Sequence, residues 1–297
     1  MQDNKKSSAS GPLLILMAGT FWGSMGLFVR TLSGYGFSAL HIACVRLCLG
    51  ALIFCAILFF TDRKAFRIAR KDIPLFLALG LMSVLFFTVC YFRAIELLPL
   101  STAAILLYTS PIWVTVLSAI FFKEALTPRK LLALALAFGG CVLVSGLSGG
   151  GVTAAGLLAG LGAGFGYALY SIFGTVALRR YPPLTVTTYT FIIAALGSLF
   201  FCDVPGMLSL LAAAPTGTML WLIPATAVIT AVVPYLCYTK GLQSVEAGRA
   251  AILATVEPVV ATLLGTLLFR EALPLTALIG IALVLFAIAL LNTRAKS

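Results

Sequence analysis

Two ionisable side chains stand inside apolar sequence, where each could recognise charge. Glu257 lies near the middle of the run 248–269, and Arg46 lies within 38–60. An ionised carboxylate at bilayer depth costs at least about 2.5 kcal/mol, so a partner or a change of protonation must offset it. Three readings of Glu257 stand side by side: a structural ion pair with Arg46, a proton-binding carboxyl, and a direct ligand for a cationic substrate. Arg46 has in addition the planar fork that suits a substrate carboxylate.

Aromatic residues with polar tips form the second candidate group. Trp22, Tyr91, Tyr108, Trp113, Tyr167, Tyr170, Tyr235 and Tyr238 fall inside apolar runs. Their faces attract ammonium groups by about 0.5 to 2 kcal/mol each, and buried Tyr and Trp need hydrogen-bond partners. Helix packing is the competing explanation for any one of them. Tyr91 and Tyr238 occupy equivalent places in a repeat, and Trp22 and Tyr167 sit near corresponding places in spans one and six. The expected substrate-binding set is therefore Trp22, Arg46, Tyr91, Tyr108, Tyr167, Tyr235, Tyr238 and Glu257, with Glu257 also the candidate for coupling to protons. Glu96, Glu124, Glu246 and Glu271 lie at the ends of apolar runs, where basic neighbours and water account for them. There is no phosphate-binding Gly-rich loop, no zinc-ligand spacing and no His-bearing triad, so no cofactor, metal or catalytic residue is expected and ATP-driven pumping is excluded. A membrane-embedded enzyme would have to rest on Glu257 and a serine such as Ser110.

These residues are positioned by a repeat. The run from Cys90-Tyr91 through Pro111 to Lys123-Glu124-Ala125-Leu126 returns, without gaps, from Cys237-Tyr238 through Pro258 to Arg270-Glu271-Ala272-Leu273, at a constant offset of 147 residues. The 297 residues are 61% hydrophobic and 10% charged, whereas a water-soluble domain carries about 25% charged residues. The mean hydropathy is +1.12. Ten membrane spans of about 20 residues are predicted, near 12–33, 38–60, 73–95, 100–122, 130–147, 156–178, 185–203, 218–240, 248–269 and 275–292. Five spans per half is an odd number, so the second copy enters the membrane from the opposite side and the repeat is inverted. With both termini cytoplasmic, the outer segments hold only Arg30, Arg93 and Arg270, Arg46 lies within a span, and every other Lys and Arg is inside. The expected organisation is an amino-terminal tail (1–11), a first five-helix repeat (12–147), a Gly/Ser linker (148–155), a second repeat (156–292) and a tail (293–297). The net charge of +11 then reflects topology, with no nucleic-acid partner, and the basic loop 61–71 suits anionic headgroups. The amino-terminal apolar run is too long for a cleaved signal and is read as a retained span. Seven cysteines without metal or disulfide spacing read as small packing residues, and His41 as an interfacial hydrogen bonder. Gly19, Gly23 and Gly26, like Gly156, Gly160 and Gly164, form ridges for close helix contact. Pro111 and Pro258 are expected to kink spans four and nine beside a cavity.

Phe21-Trp22-Gly23 in span one, the arginine inside span two, Lys123-Glu124-Ala125-Leu126, and Glu257-Pro258 through Arg270-Glu271-Ala272-Leu273 resemble the EamA family of the drug/metabolite transporter superfamily. The resemblance covers nearly the whole chain. It implies ten helices in two inverted repeats and movement of metabolites such as amino acids and amines, often outward. Within this sequence, the first repeat has Ser110-Pro111 where the second has Glu257-Pro258. The expectation is a multi-pass secondary transporter of the inner or plasma membrane, carrying a small polar metabolite, for which a monomer is sufficient. An amino acid exporter leads. An organic cation or amine carrier, coupled to protons, is the alternative.

Overall fold

A computed structural model describes residues 10–146 and 153–292. Residues 148–152 of the expected linker, residue 147 before it, and the tail residues 1–9 and 293–297 lie outside the described residues. The chain folds as helices α1 (Ser10–Ser33), α2 (Ala39–Thr61), α3 (Arg70–Leu97), α4 (Leu100–Phe122), α5 (Pro128–Ser145), α6 (Ala154–Ala177), α7 (Pro183–Ser198), α8 (Val204–Ala213), α9 (Thr216–Gly241), α10 (Ala247–Phe269) and α11 (Leu275–Asn292). Among the described residues, nine of these are long and apolar enough to cross a membrane; α7 and α8 are shorter. The span expected at 185–203 differs most. It ends at Ser198, and a separate helix follows where a loop was expected. The sequence Asp203-Val204-Pro205-Gly206 is a helix start: the Asp203 carboxylate accepts the Gly206 amide at 3.1 Å, and Pro205 occupies the first turn, where no intrahelical donor is needed.

Four helices are irregular at matched depth. Helix α4 breaks between Leu107 and Ser110, and α10 breaks at Thr255 between Ala254 and Val256. Pro111 and Pro258 stand in the first turns of the second halves, where the missing N–H costs least. Helices α3 and α9 widen into π segments at Ala78–Leu85 and Val228–Val232, which overlap once the repeat offset is applied. Within them Ser83 and its equivalent Thr230 both turn their hydroxyls back on the carbonyl one turn earlier, those of Leu79 and Thr226.

Contacts repeat along with the sequence. A Cβ on Gly19 would lie 2.9 Å from the Ala254 carbonyl and 2.6 Å from Val256; one on Gly164 would lie 2.5 Å from Thr109 and 3.4 Å from the Leu107 carbonyl. Ala254 and Val256 are the repeat equivalents of Leu107 and Thr109. The first helix of each half therefore lies backbone to backbone against the broken helix of the other half. Gly23 makes a similar approach to the Glu257 carbonyl, whereas Gly26 faces open space. The core these contacts enclose includes Trp22, Phe54, Phe191, Tyr235 and Tyr238.

Candidate functional site

Helix α1 carries Trp22 into the centre of the bundle, where its ring meets Tyr167 of α6 at 5.9 Å and Tyr235 and Tyr238 of α9 at 5.3 and 5.4 Å between centroids. Tyr170 joins from one turn beyond Tyr167, packing edge-on to Tyr235 at 5.2 Å. Tyr235 reaches this position because the π segment ends just before it. Two side-chain hydrogen bonds tie α6 to α9 at the base of the cluster: Tyr170 with Thr239 at 2.7 Å and Ser171 with Tyr238 at 2.8 Å. Trp22, Tyr170, Tyr235 and Tyr238 are buried, whereas Arg46, Tyr91, Tyr108, Tyr167 and Glu257 are half-buried. The rings, with Ser83, Phe87 and Gly166, line a cavity of about 10 Å3, room for the centre of one water molecule. A metabolite requires the cluster to open.

Glu257 lies in the first turn of the second half of α10. The aligned peptide dipoles make that turn favourable for negative charge, although Pro258 contributes no N–H there, and offset part of the cost of burying a carboxylate. Tyr91, Tyr108, Tyr167, Tyr235 and Arg46 all lie within electrostatic reach of it. Tyr91 stacks on Phe87 at 5.9 Å, and Phe87 meets Tyr167 at 5.4 Å, so the first-repeat tyrosine joins the cluster through one intervening ring. Of the eight residues expected from sequence, Trp22, Tyr167, Tyr235 and Tyr238 line the cavity, Tyr91 reaches it through Phe87, and Arg46 bonds the π segment of α9.

The expected structural ion pair is not formed. Arg46 Nη2 donates to the Thr230 carbonyl at 2.8 Å, and no salt bridge within 4.0 Å joins Arg46 to Glu257. Thr230 lies in the π segment, where the Val233 amide bonds back to Val228, and Pro234 adds no donor to the carbonyls that follow. An α-helical partner for the Thr230 carbonyl would be the N–H of residue 234, and proline has none. Arg46 supplies a donor from across the bundle. Its Nε stays buried without a partner, as does the Tyr167 hydroxyl. Helix α7, second in its half as α2 is in the first, carries no Lys or Arg, and its Ile193 packs on Gly80 of the other π segment. Tyr170, Ser171, Phe87 and Ser83 were not among the expected residues. The first three stand one turn from Tyr167 or Tyr91, a signal available in the spacing; Ser83 becomes visible only once the π segment is known.

A second cavity, of about 380 Å3, lies one turn beyond the base of the cluster and is lined by Phe122, Glu124, Thr175, Leu178, Arg179, Leu242, Gln243, Ser244, Val245, Glu246 and Ala247. Thr175 and Leu242 follow Ser171 and Tyr238 by four residues, so a single helical turn separates the two spaces.

The profile of the EamA-like transporter family matches residues 9–146 and again residues 154–293. The chain belongs to the EamA-like transporter family. It is a multi-pass membrane transporter, with a small-molecule substrate and a lipid environment. An uncharacterized transporter of Archaeoglobus fulgidus is 32% identical over 276 residues, 93% of each chain. The pseudopaline exporter CntI of Pseudomonas aeruginosa is 29% identical over 171 residues, 57% of this chain and 52% of that one. A crystal structure with 20% identity superposes with a TM-score of 0.81, covering 96% of this chain and 97% of the other, a likeness of fold.

Proposed function

We propose that this EamA-like transporter is a secondary carrier that exports an amino acid or a related small zwitterion across the inner or plasma membrane. The observation that carries the reading is that Arg46 bonds the π segment leading into Tyr235, while Glu257 lies on the helix segment packed against Gly23, next to Trp22, and the two do not pair with each other. A cation and an anion left apart suit a substrate that carries both a carboxylate and an ammonium group. The orphaned Arg46 Nε and Tyr167 hydroxyl are further groups for a substrate to satisfy. In this reading ten spans form two inverted repeats, 12–147 and 156–292, with both termini cytoplasmic, α7 serving as a short seventh span and α8 lying between spans. The matched helix breaks, π segments and glycine contacts support it. Transport is by alternating access, one bundle rocking on the other around Trp22, Tyr167, Tyr235 and Tyr238. The name of the Pseudomonas relative, an exporter, favours the outward direction. No cofactor or nucleic acid is involved, and a monomer suffices.

A second reading, transport of an organic cation or amine with protons as the coupling ion, is favoured by the six aromatic rings about the cavity and by Glu257. Reconstitution in liposomes with a panel of radiolabelled amino acids and organic amines, with and without a pH gradient, separates the two. The first reading expects saturable amino acid uptake that is lost in both Arg46→Gln and Glu257→Gln. Uptake of amines alone, indifferent to Arg46→Gln, would replace it with the second.

A further inference from the structure

Glu124 and Glu271 are repeat equivalents with the same backbone and different surroundings. Each follows a left-handed residue, Lys123 at φ 56° and Arg270 at φ 55°, and each amide donates 3.3 Å to an equivalent carbonyl, that of Ser118 or Gly265. The side chains then diverge. Glu124 crosses to the other repeat, where its carboxylate accepts the Ala247 and Gly248 amides at 2.9 and 3.2 Å and meets Lys130 Nζ at 2.6 Å. It is 8% exposed and Lys130 is 6% exposed. Glu271 instead meets Arg30 at 2.5 Å, is 45% exposed, and lies over Gly265 of its own helix. The repeat equivalents of Ala247 and Gly248 are Leu100 and Ser101, at the start of α4.

We propose that Glu124 is a positioning residue of the transport cycle, a latch that holds the inner end of α10 closed in this conformation, and that Glu271 takes the equivalent place on α4 in the opposite one. The inference rests on the alternating-access reading. The first half of α10, Ala247–Ala254, is about 12 Å long at 1.5 Å per residue. The latch grips one end, and Glu257 begins the next helical segment beyond the other. Release of Glu124 frees the half-helix that borders both the 380 Å3 cavity and the aromatic cluster. A carboxylate suits the task because it accepts two amides and an ammonium group together, each a charge-assisted bond. A neutral amide retains the shape and loses most of that strength.

The test uses the full chain with its seven cysteines replaced and spin labels at Leu126→Cys and Gln243→Cys, one in each half at the inner end, or at Arg93→Cys and Ala272→Cys on the far side, with the wild-type and labelled proteins matched by size exclusion. Glu124→Gln is expected to shift the inner pair toward longer distances and the outer pair toward shorter ones, lowering the ratio of inner-closed to inner-open molecules roughly tenfold, the scale of losing a strong helix cap. Glu271→Gln is expected to leave the inner pair unchanged or closed further. A structural defect would widen one pair without narrowing the other, so a nonreciprocal change overturns the latch. Two populated distances in the wild type that Glu124→Gln leaves in the same ratio also overturn it, with alternating access intact. One fixed distance in every variant, with and without a transported amino acid, overturns both.

Discussion

Replacing Arg46 with methionine removes the donor that satisfies the Thr230 carbonyl, and Pro234 provides no amide to replace it. A hydrogen bond from a charged donor contributes about 1.5–3 kcal/mol, and the carbonyl left behind is enclosed by protein. Methionine retains much of the apolar volume, so packing changes contribute little. Arg46→Met should therefore cost about 2 kcal/mol, a fall on the order of 4–8 °C in apparent melting temperature for a domain of this size. The stated cause supplies its own control. In a Pro234→Ala background, residue 234 regains an amide four positions after Thr230, and the same Arg46→Met change should then cost less than half as much. The coupling, about 1 kcal/mol or more, is read by thermal unfolding of the four proteins of the cycle in one detergent, followed by intrinsic fluorescence at one scan rate. Additive losses, with Arg46→Met equally costly in both backgrounds, would refute the link between Arg46 and the proline-freed carbonyl.

Other consequences can be measured alongside. Lys130→Met leaves the buried Glu124 carboxylate without its cation and should destabilise by about 3–5 kcal/mol in the same unfolding assay, whereas Glu271→Gln, exposed and paired only with Arg30, should change stability by no more than about 1 kcal/mol. Gly164→Val places a side chain where a Cβ already meets Thr109 at 2.5 Å, and should reduce the yield of monodisperse protein or lower its melting temperature by several degrees; Gly26→Val, in open space, should do neither. Tyr170→Phe removes the 2.7 Å bond to buried Thr239 and should cost about 1 kcal/mol, an effect that Thr239→Val largely absorbs in the double variant.

The helical multi-pass fold was legible because its strongest signal is of the kind a bilayer imposes. Apolar runs of spanning length, the bias of Lys and Arg, and the 147-residue repeat all survive small errors in helix ends. The structure departs where a short polar motif outweighs hydropathy, as at Asp203, whose cap begins α8 and shortens the preceding helix. At the site, the aromatic residue types were legible: Trp22, Tyr167, Tyr235 and Tyr238 meet around one cavity. The partner of Arg46 was not. Pairing Arg46 with Glu257 followed from depth alone, but partner choice depends on which carbonyl lacks a donor, and that required the helix rotation set by the π segment and Pro234 together. The asymmetry between Glu124 and Glu271 was equally invisible, since the two motifs are nearly identical in sequence and differ only in the direction their side chains take.

The most direct test of a central site within the aromatic cluster is the fluorescence of Trp22. The chain has three tryptophans, so Trp113→Phe with Trp221→Phe leaves Trp22 alone to report. Titrating this variant with the amino acid that liposome uptake identifies should change its emission saturably, with a midpoint that follows the transport KM and that weakens at least tenfold in Arg46→Gln and in Glu257→Gln. Undiminished transport of that amino acid by the single-tryptophan protein with no change in Trp22 emission would contradict a site at the meeting point of the two halves.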